Sequence, residues 1–295
     1  MNKFFSLLLL LSLALLPSAC KRTESAEKEI ACTTYPVWLI TNDLMQGAEN
    51  PPPLFLLVPP DNGCPHDYAL DTGSMIRLSR IKTLLLLRNG GLDDVLADAI
   101  KKLNPKTMDH PVITHAGHNH GGYGICSHDP HIFTAPGTAK AMVLSLANSL
   151  MEFNPANSTV YAKNEARLLA KLDELDAATK DIGKGRKILA MHNTFSHLAK
   201  EAGFDLRGVV FEGHISALSP VETQKWINRI KQENIAFLVT EPQTHRQVAE
   251  QLRNETGITL LELDSAASGT LTVPADHLLR VMEQNIAKLR EAAQK

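Results

Sequence analysis

Four residues spread along the chain have the types and positions to hold one divalent cation: His66, His131, His192 and Asp264. Each follows a short apolar run that reads as a β-strand. His66 lies in the loop after Leu54–Val58, and His131 follows the loop after Val112–Thr114. His192 comes straight after Lys187–Met191, and Asp264 straight after Thr259–Leu263. In an open parallel sheet, ligands bind beyond the carboxyl ends of the strands, where the loops gather. Three imidazoles and a carboxylate suit a borderline ion such as zinc. Spacing alone leaves two readings open, because a lone histidine is more often a surface or core residue than a ligand.

The elements that must position these residues alternate along the chain. Strands are expected at Ile30–Tyr35, Leu54–Val58, Thr83–Leu87 and Val112–Thr114, then at Lys187–Met191, Arg207–Phe211, Ala236–Thr240 and Thr259–Leu263. Helical patterns fall between them, for example Leu92–Leu103, Ala139–Phe153, Val221–Glu233 and Gln247–Asn254. Such alternation argues for α/β units around mainly parallel sheets. One long helical segment, about Ala156 to Ile182, separates the two sets. Tyr161, Leu168, Leu172, Leu175 and Ile182 give it a single apolar stripe, and Gly183 is placed to end it. At 1.5 Å per residue it spans about 40 Å, enough to cross a lobe. Because strand–helix alternation restarts after it, the expected organisation is a first lobe over 30–155, a linking helix over 156–183 and a second lobe over 184–295. The four residues above divide two and two between the lobes.

The N-terminus stands apart from the fold. Lys3, the apolar run Phe4 to Leu16 and the small residues Ser18-Ala19 make residues 1–19 an export signal, too short to span a bilayer comfortably. Leu-Pro-Ser-Ala-Cys resembles a bacterial lipoprotein cleavage site, with Cys20 the lipidated residue, although Pro17 departs from that pattern. Residues 20–29 then serve as a lipidated end and solvated tether. The mature protein is expected outside the cytoplasm, periplasmic or at the cell surface, anchored to the membrane by its lipid. An oxidising compartment allows Cys32, Cys64 and Cys126 one disulfide and one remaining thiol. A net charge of −2, with no basic stripe interleaved with aromatics, argues against nucleic acid as a partner.

Several motifs resemble those of the zinc/manganese solute-binding proteins of bacterial ABC transporters. Pro65-His66-Asp67-Tyr68 after Leu57-Val58-Pro59-Pro60 is similar to that family's first ligand motif, and Asp129-Pro130-His131-Ile132 to its second. Met191-His192-Asn193-Thr194-Phe195, leading to Ala202-Gly203-Phe204, resembles the third. Thr240-Glu241-Pro242-Gln243 followed by Leu263-Asp264-Ser265 resembles the last strand pair, whose aspartate is the fourth ligand. The resemblance covers nearly the whole mature chain. It implies two α/β lobes joined by one rigid helix, a metal held between them by His66, His131, His192 and Asp264, and delivery to a permease driven by a separate ATPase. Zinc is the expected ion, with manganese or iron as alternatives, and the protein is expected to be a monomer. It further implies that His115, His118, His120 and His128 form a metal-collecting loop, the alternative being an exposed loop that tolerates histidines. Cys64 and Cys126 lie within five residues of His66 and His131, which must converge on one ion, so these two are expected to pair. Ala217-Leu218-Ser219-Pro220, the segment Ala69 to Ser74 and Cys64 itself depart from the family pattern.

A zinc hydrolase is the competing reading. A catalytic zinc keeps a position open for water, whereas four protein ligands close the shell. The chain also lacks His-Glu-x-x-His, a Gly-x-Ser-x-Gly elbow and a phosphate loop. Cell adhesion is a third reading, and no residue pattern supports it.

Overall fold

Two four-stranded sheets, both wholly parallel, repeat one strand order. The first runs β2-β1-β3-β4 and the second β6-β5-β7-β8. This computed structural model describes residues 28–60, 68–112, 129–211, 218–242 and 246–294. His66, the four loop histidines, Cys20, Cys64 and Cys126 lie outside the described residues, so the expected disulfide and collecting loop do too.

The first sheet comprises β1 (Lys28–Cys32), β2 (Leu54–Leu56), β3 (Thr83–Arg88) and β4 (Met108–Pro111), with helices α1 (Tyr35–Leu44), α2 (Thr72–Arg80) and α3 (Asp94–Leu103). Then come α4 (Pro136–Phe153) and α5 (Ser158–Thr179). The second sheet comprises β5 (Lys187–Ala190), β6 (Asp205–Val209), β7 (Phe237–Thr240) and β8 (Thr259–Glu262), with α6 (Ser196–Glu201), α7 (Pro220–Glu233), α8 (Arg246–Thr256) and α9 (His277–Gln294).

The period-two alternation of a strand explains why each sheet is covered on both faces. Ile30, Cys32, Leu85 and Leu87 point into a core shared with α1, α4, α5 and α9. Their neighbours Ala31, Leu84 and Leu86 point the other way, onto Leu78 of α2 and Leu96, Ala97 and Ile100 of α3. The second sheet repeats this. Ile188, Ala190, Phe237 and Val239 meet α6 and the end of α9, while Leu189 and Leu238 meet α7 and α8. Cys32 is fully buried and a free thiol, and burial pushes it up to about 12, so it is inert.

Seven of the eight expected strands have an overlapping counterpart, most with shifted ends, and the expected Val112–Thr114 does not. The first stops at Cys32, not Tyr35, because Pro36 in the first turn of α1 lacks an N–H and presets helical φ. β4 lies upstream of the expected Val112–Thr114. It is an edge strand that pairs only with β3, and Pro111 at its end is tolerated there. The long helix is α5, which has 22 residues and spans about 33 Å. A 3-10 turn at Pro155–Asn157 precedes it. It ends before Gly183, whose N–H turns to the Ala202 carbonyl at 2.7 Å.

Helix α5 does not join the two halves alone. Leu278, Leu279, Val281, Met282 and Ile286 of α9 sit in the first core, and Leu289 sits in the second. Helix α4 is tied across as well. No side chain of its own caps its N-terminus. The Glu201 carboxylate of α6 accepts the Gly137 N–H at 2.9 Å and the Thr138 N–H at 3.0 Å. A Cβ at Gly137 would stand 2.6 Å from Glu201 Oε1, so glycine is what lets the carboxylate seat. Burial raises the Glu201 carboxyl above its ordinary value, against these two amide bonds. Glu201→Ala is expected to lower the stability of the metal-free protein by about 2 kcal/mol, the scale of hydrogen bonds to a charged group. Urea denaturation measures it, and an unchanged midpoint would mean that water caps α4 equally well. Among the described residues no helix is long and apolar enough to cross a membrane.

Candidate metal centre

The strand order reverses at β1/β3 in one sheet and at β5/β7 in the other, which are the positions where a parallel sheet opens a crevice. His192 leaves β5 and Glu241 leaves β7, so these two residues flank the second crevice. In the first, Asn89 follows β3 and donates from its Nδ2 to the Pro130 carbonyl at 2.9 Å. That bond holds the segment carrying Asp129 and His131 against the carboxyl end of the sheet.

His131 and His192 each open a 3-10 turn, Ile132–Thr134 and Asn193–Phe195 respectively. The two turns face each other, and the imidazoles meet edge to face with centroids 5.5 Å apart at 82°. Two residues 61 positions apart, reached from different sheets, thus form one pair. The turns are also fastened together. Thr134 Oγ1 lies 2.9 Å from both the His131 carbonyl and the Thr194 carbonyl. His197 donates from Nε2 to the Asp129 carbonyl at 3.1 Å.

Each ring is held at Nδ1. For His131 the holder is Asp129, with Oδ1 2.8 Å from the ring nitrogen and 3.0 Å from the backbone nitrogen of the same histidine. Burial pushes the Asp129 carboxyl up, but these bonds and the charges of His131 and His197 outweigh it and hold it below its ordinary value. For His192 the holder is Thr194 Oγ1 at 2.8 Å, which in turn donates to Glu241 Oε1 at 2.9 Å. With Nδ1 engaged, a metal on either ring would be bound through Nε2, as in sites where outer partners orient metal-bound histidines.

Asp264 leaves β8 with its backbone clamped by Asn285 of α9. Its N–H donates to Asn285 Oδ1 at 3.0 Å, and Asn285 Nδ2 donates to its carbonyl at 2.7 Å. Its Oδ1 accepts the N–H of Ala266 at 2.8 Å. Ala266 pays for that turn with a φ of 53°, a left-handed conformation that a non-glycine residue adopts only when its surroundings enforce it. The carboxylate lies near Tyr35 at the start of α1. Burial first, and then the Asp264 charge, raise the Tyr35 phenol, against its hydrogen bond to the Thr270 carbonyl at 2.6 Å.

Of the four residues read from the sequence, the structure therefore pairs His131 with His192 and does not join Asp264 to them, while His66 lies outside the described residues. Among the described residues no group of three or more His, Cys, Asp or Glu side chains is arranged to hold a metal. Sequence reading missed the holders Asp129, Thr194, Glu241 and Asn285. Asp129 and Thr194 sit two positions from the histidines they hold, a local signal that was available. His110, near the end of β4, is half-buried with Nδ1 3.0 Å from Ser149 Oγ.

Two parallel α/β sheets with a histidine pair between their crevices define a cleft-type binding fold. The chain belongs to the family ZnuA, described as zinc-uptake complex component A periplasmic, which it matches over residues 30–292. It is 25% identical to the zinc-binding lipoprotein AdcA of Streptococcus pneumoniae over 312 residues, covering 98% of this chain and 61% of that one. It is also 25% identical over 173 residues to the high-affinity zinc uptake system protein ZnuA of Bacillus subtilis, covering 56% of this chain and 53% of that one. The chain thus spans about 61% of the length of the pneumococcal relative. In three dimensions it is similar to the SBP FpvC from Pseudomonas aeruginosa solved with Mn2+, with a TM-score of 0.75 at 20% identity over 90% of this chain and 98% of that one. A second FpvC structure, with Ni2+, gives a TM-score of 0.76 at 20% identity, over 90% and 96%.

Proposed function

We propose that this protein is an exported receptor that captures one divalent cation between its two lobes and delivers it to the permease of an ATP-driven importer. The observation that carries this reading is the His131–His192 pair, assembled from two sheets with each ring held at Nδ1. His66 and Asp264 complete the proposed ligand set, and a cation supplies the attraction that draws their side chains to the imidazoles. Zinc is the proposed cargo. Three nitrogen donors and one oxygen match its preference, whereas manganese favours oxygen-rich shells. The names of the streptococcal and bacillar relatives speak of zinc, which supports the same choice. Four protein ligands leave no position for an activated water, so carriage is favoured over hydrolysis.

In this reading residues 1–19 direct export, Cys20 carries a lipid, and 20–29 tether the receptor to the membrane beside its permease. Residues 30–155 and 184–295 form the lobes, and 156–183 join them. His115, His118, His120 and His128 serve as weak, exchangeable collecting sites. Metal analysis of the protein as purified, followed by calorimetric competition between zinc and manganese, tests the proposal. One tightly held zinc per chain, not displaced by excess manganese, is expected. Protein that takes up neither ion, or that releases zinc to manganese, would overturn it.

A further inference from the structure

We infer that Thr194 and Glu241 are positioning residues that fix the tautomer of His192, and so decide which of its nitrogens can receive the metal. The inference rests on the receptor reading but follows from a count of protons. Glu241, as a carboxylate, can only accept hydrogen bonds, and Thr194 has one hydroxyl proton. That proton goes to Glu241 Oε1 at 2.9 Å. The Thr194 oxygen, 2.8 Å from His192 Nδ1, is then left to accept, so Nδ1 must carry the ring proton. In the neutral imidazole the lone pair then resides on Nε2.

The geometry excludes a direct substitute for this relay. Glu241 Oε1 stands 4.0 Å from His192 Nδ1, beyond hydrogen-bond reach, so the carboxylate's hydrogen bond is to the Thr194 hydroxyl and not to the ring. The relay is firmly mounted. Thr194 is buried, and its carbonyl accepts the Thr134 hydroxyl from the opposite turn. Glu241 leaves β7, which pairs directly with the β5 strand that leads to His192. One consequence separates the two rings. His131 is held directly by a carboxylate and His192 through a neutral hydroxyl, so the His192 side of the pair can be reset by changing a single proton donor.

Glu241→Gln makes that change. An amide placed at this position can donate to the Thr194 oxygen, which frees the hydroxyl proton for Nδ1 and moves the ring proton to Nε2, where it blocks the metal. Thr194→Val removes the relay, and Thr194→Ser keeps it.

The experiment uses histidine labelled with 15N in the metal-free full chain, above about pH 8 where imidazoles are neutral. Long-range proton–nitrogen correlations report the tautomer, and calorimetry with zinc reports affinity. In the native protein His192 is expected to carry its proton on Nδ1. Thr194→Val is expected to shift it toward Nε2 and to weaken zinc binding by about 10–100-fold, the usual scale for an outer-shell partner. Thr194→Ser should restore both. If Thr194→Val does not fold, Glu241→Gln carries the test with the same expected shift. A proton on Nε2 in the native protein would overturn the inference whatever zinc does. So would a native tautomer and native affinity in both Thr194→Val and Glu241→Gln. If the native protein binds no zinc, the receptor reading fails, and the nitrogen spectrum still decides the relay.

Discussion

Alanine at His131, His192 or Asp264 is expected to weaken zinc binding by ~100-fold or more, with His66→Ala the same. Protein zinc sites of four ligands bind with about 10–16 kcal/mol in total, which is about 3 kcal/mol per ligand, or two decades in affinity. Removing a ligand also opens the shell to water, so no other protein group makes up the loss. The variants should nevertheless differ in the metal-free state. His131→Ala deprives the partly buried Asp129 carboxylate of one of the bonds that hold its pKa down, while the backbone N–H of residue 131 and the nearby His197 remain. His192→Ala takes away the ring's contact with His131 and the donor to a hydroxyl that keeps its bond to Glu241. His131→Ala should therefore also lower the melting temperature without metal, and His192→Ala less. Calorimetry and thermal melts on the four variants measure both effects. Native affinity in two or more of them would sink the ligand assignment.

Much of the fold is legible in the sequence, for a physical reason. Strands buried on both faces must be apolar along their whole length, so Thr83–Leu87 and Ala236–Thr240 announce themselves. Once strand ends are located, the carboxyl-edge rule singles out His192 and Asp264 directly. The misreadings fall where that pressure is absent. β4 is an edge strand whose residues are all only partly buried, so Met108-Asp109-His110-Pro111 has no apolar signature. Thr33 to Tyr35 are good strand formers, and only Pro36 signals that the chain has turned into a helix. The holders of the site were hidden for a different reason. Glu241 reaches Thr194 across 47 positions and Glu201 reaches Gly137 across 64, and nothing local in either stretch records that the partner will be there. The first contact exists only once β5 and β7 have paired, and the second only once α4 and α6 have docked.

That docking sets the terms of the second large effect, the stabilisation of the fold by zinc. The unfolded chain has no preformed site, so binding free energy appears as folding free energy. At a hundredfold excess of zinc over the dissociation constant the gain is about 2.7 kcal/mol. At ~2–4 °C per kcal/mol for a chain of this size, the melting temperature should rise by about 5–10 °C. Motion between the lobes should stay small, because Glu201 on the α4 N-terminus, Thr134 on the Thr194 carbonyl and α9 in both cores already bind the halves together without metal. Acid should abolish the zinc increment, because an imidazole ligates only when neutral and protons would compete for three of the four proposed ligands.

The carboxyls described above do not blur that comparison. Asp129 is held below its ordinary value of 3.8, so the stability it contributes is present above that value and is lost only as the pH falls through its lowered pKa. Glu201 is raised above its ordinary 4.5, so its contribution is present below that value and fades as the pH rises through the raised pKa. Going from about pH 7.5 to about pH 5.5, neither subtracts stability from the metal-free protein, while imidazoles with an ordinary pKa of about 6.5 take up protons. A melt with and without zinc at the two pH values should therefore show a large increment at the higher one and little at the lower, with the metal-free curves moving less than the zinc-loaded ones. A melting temperature indifferent to zinc at the higher pH would remove the bridging metal from the cleft, and the receptor function with it.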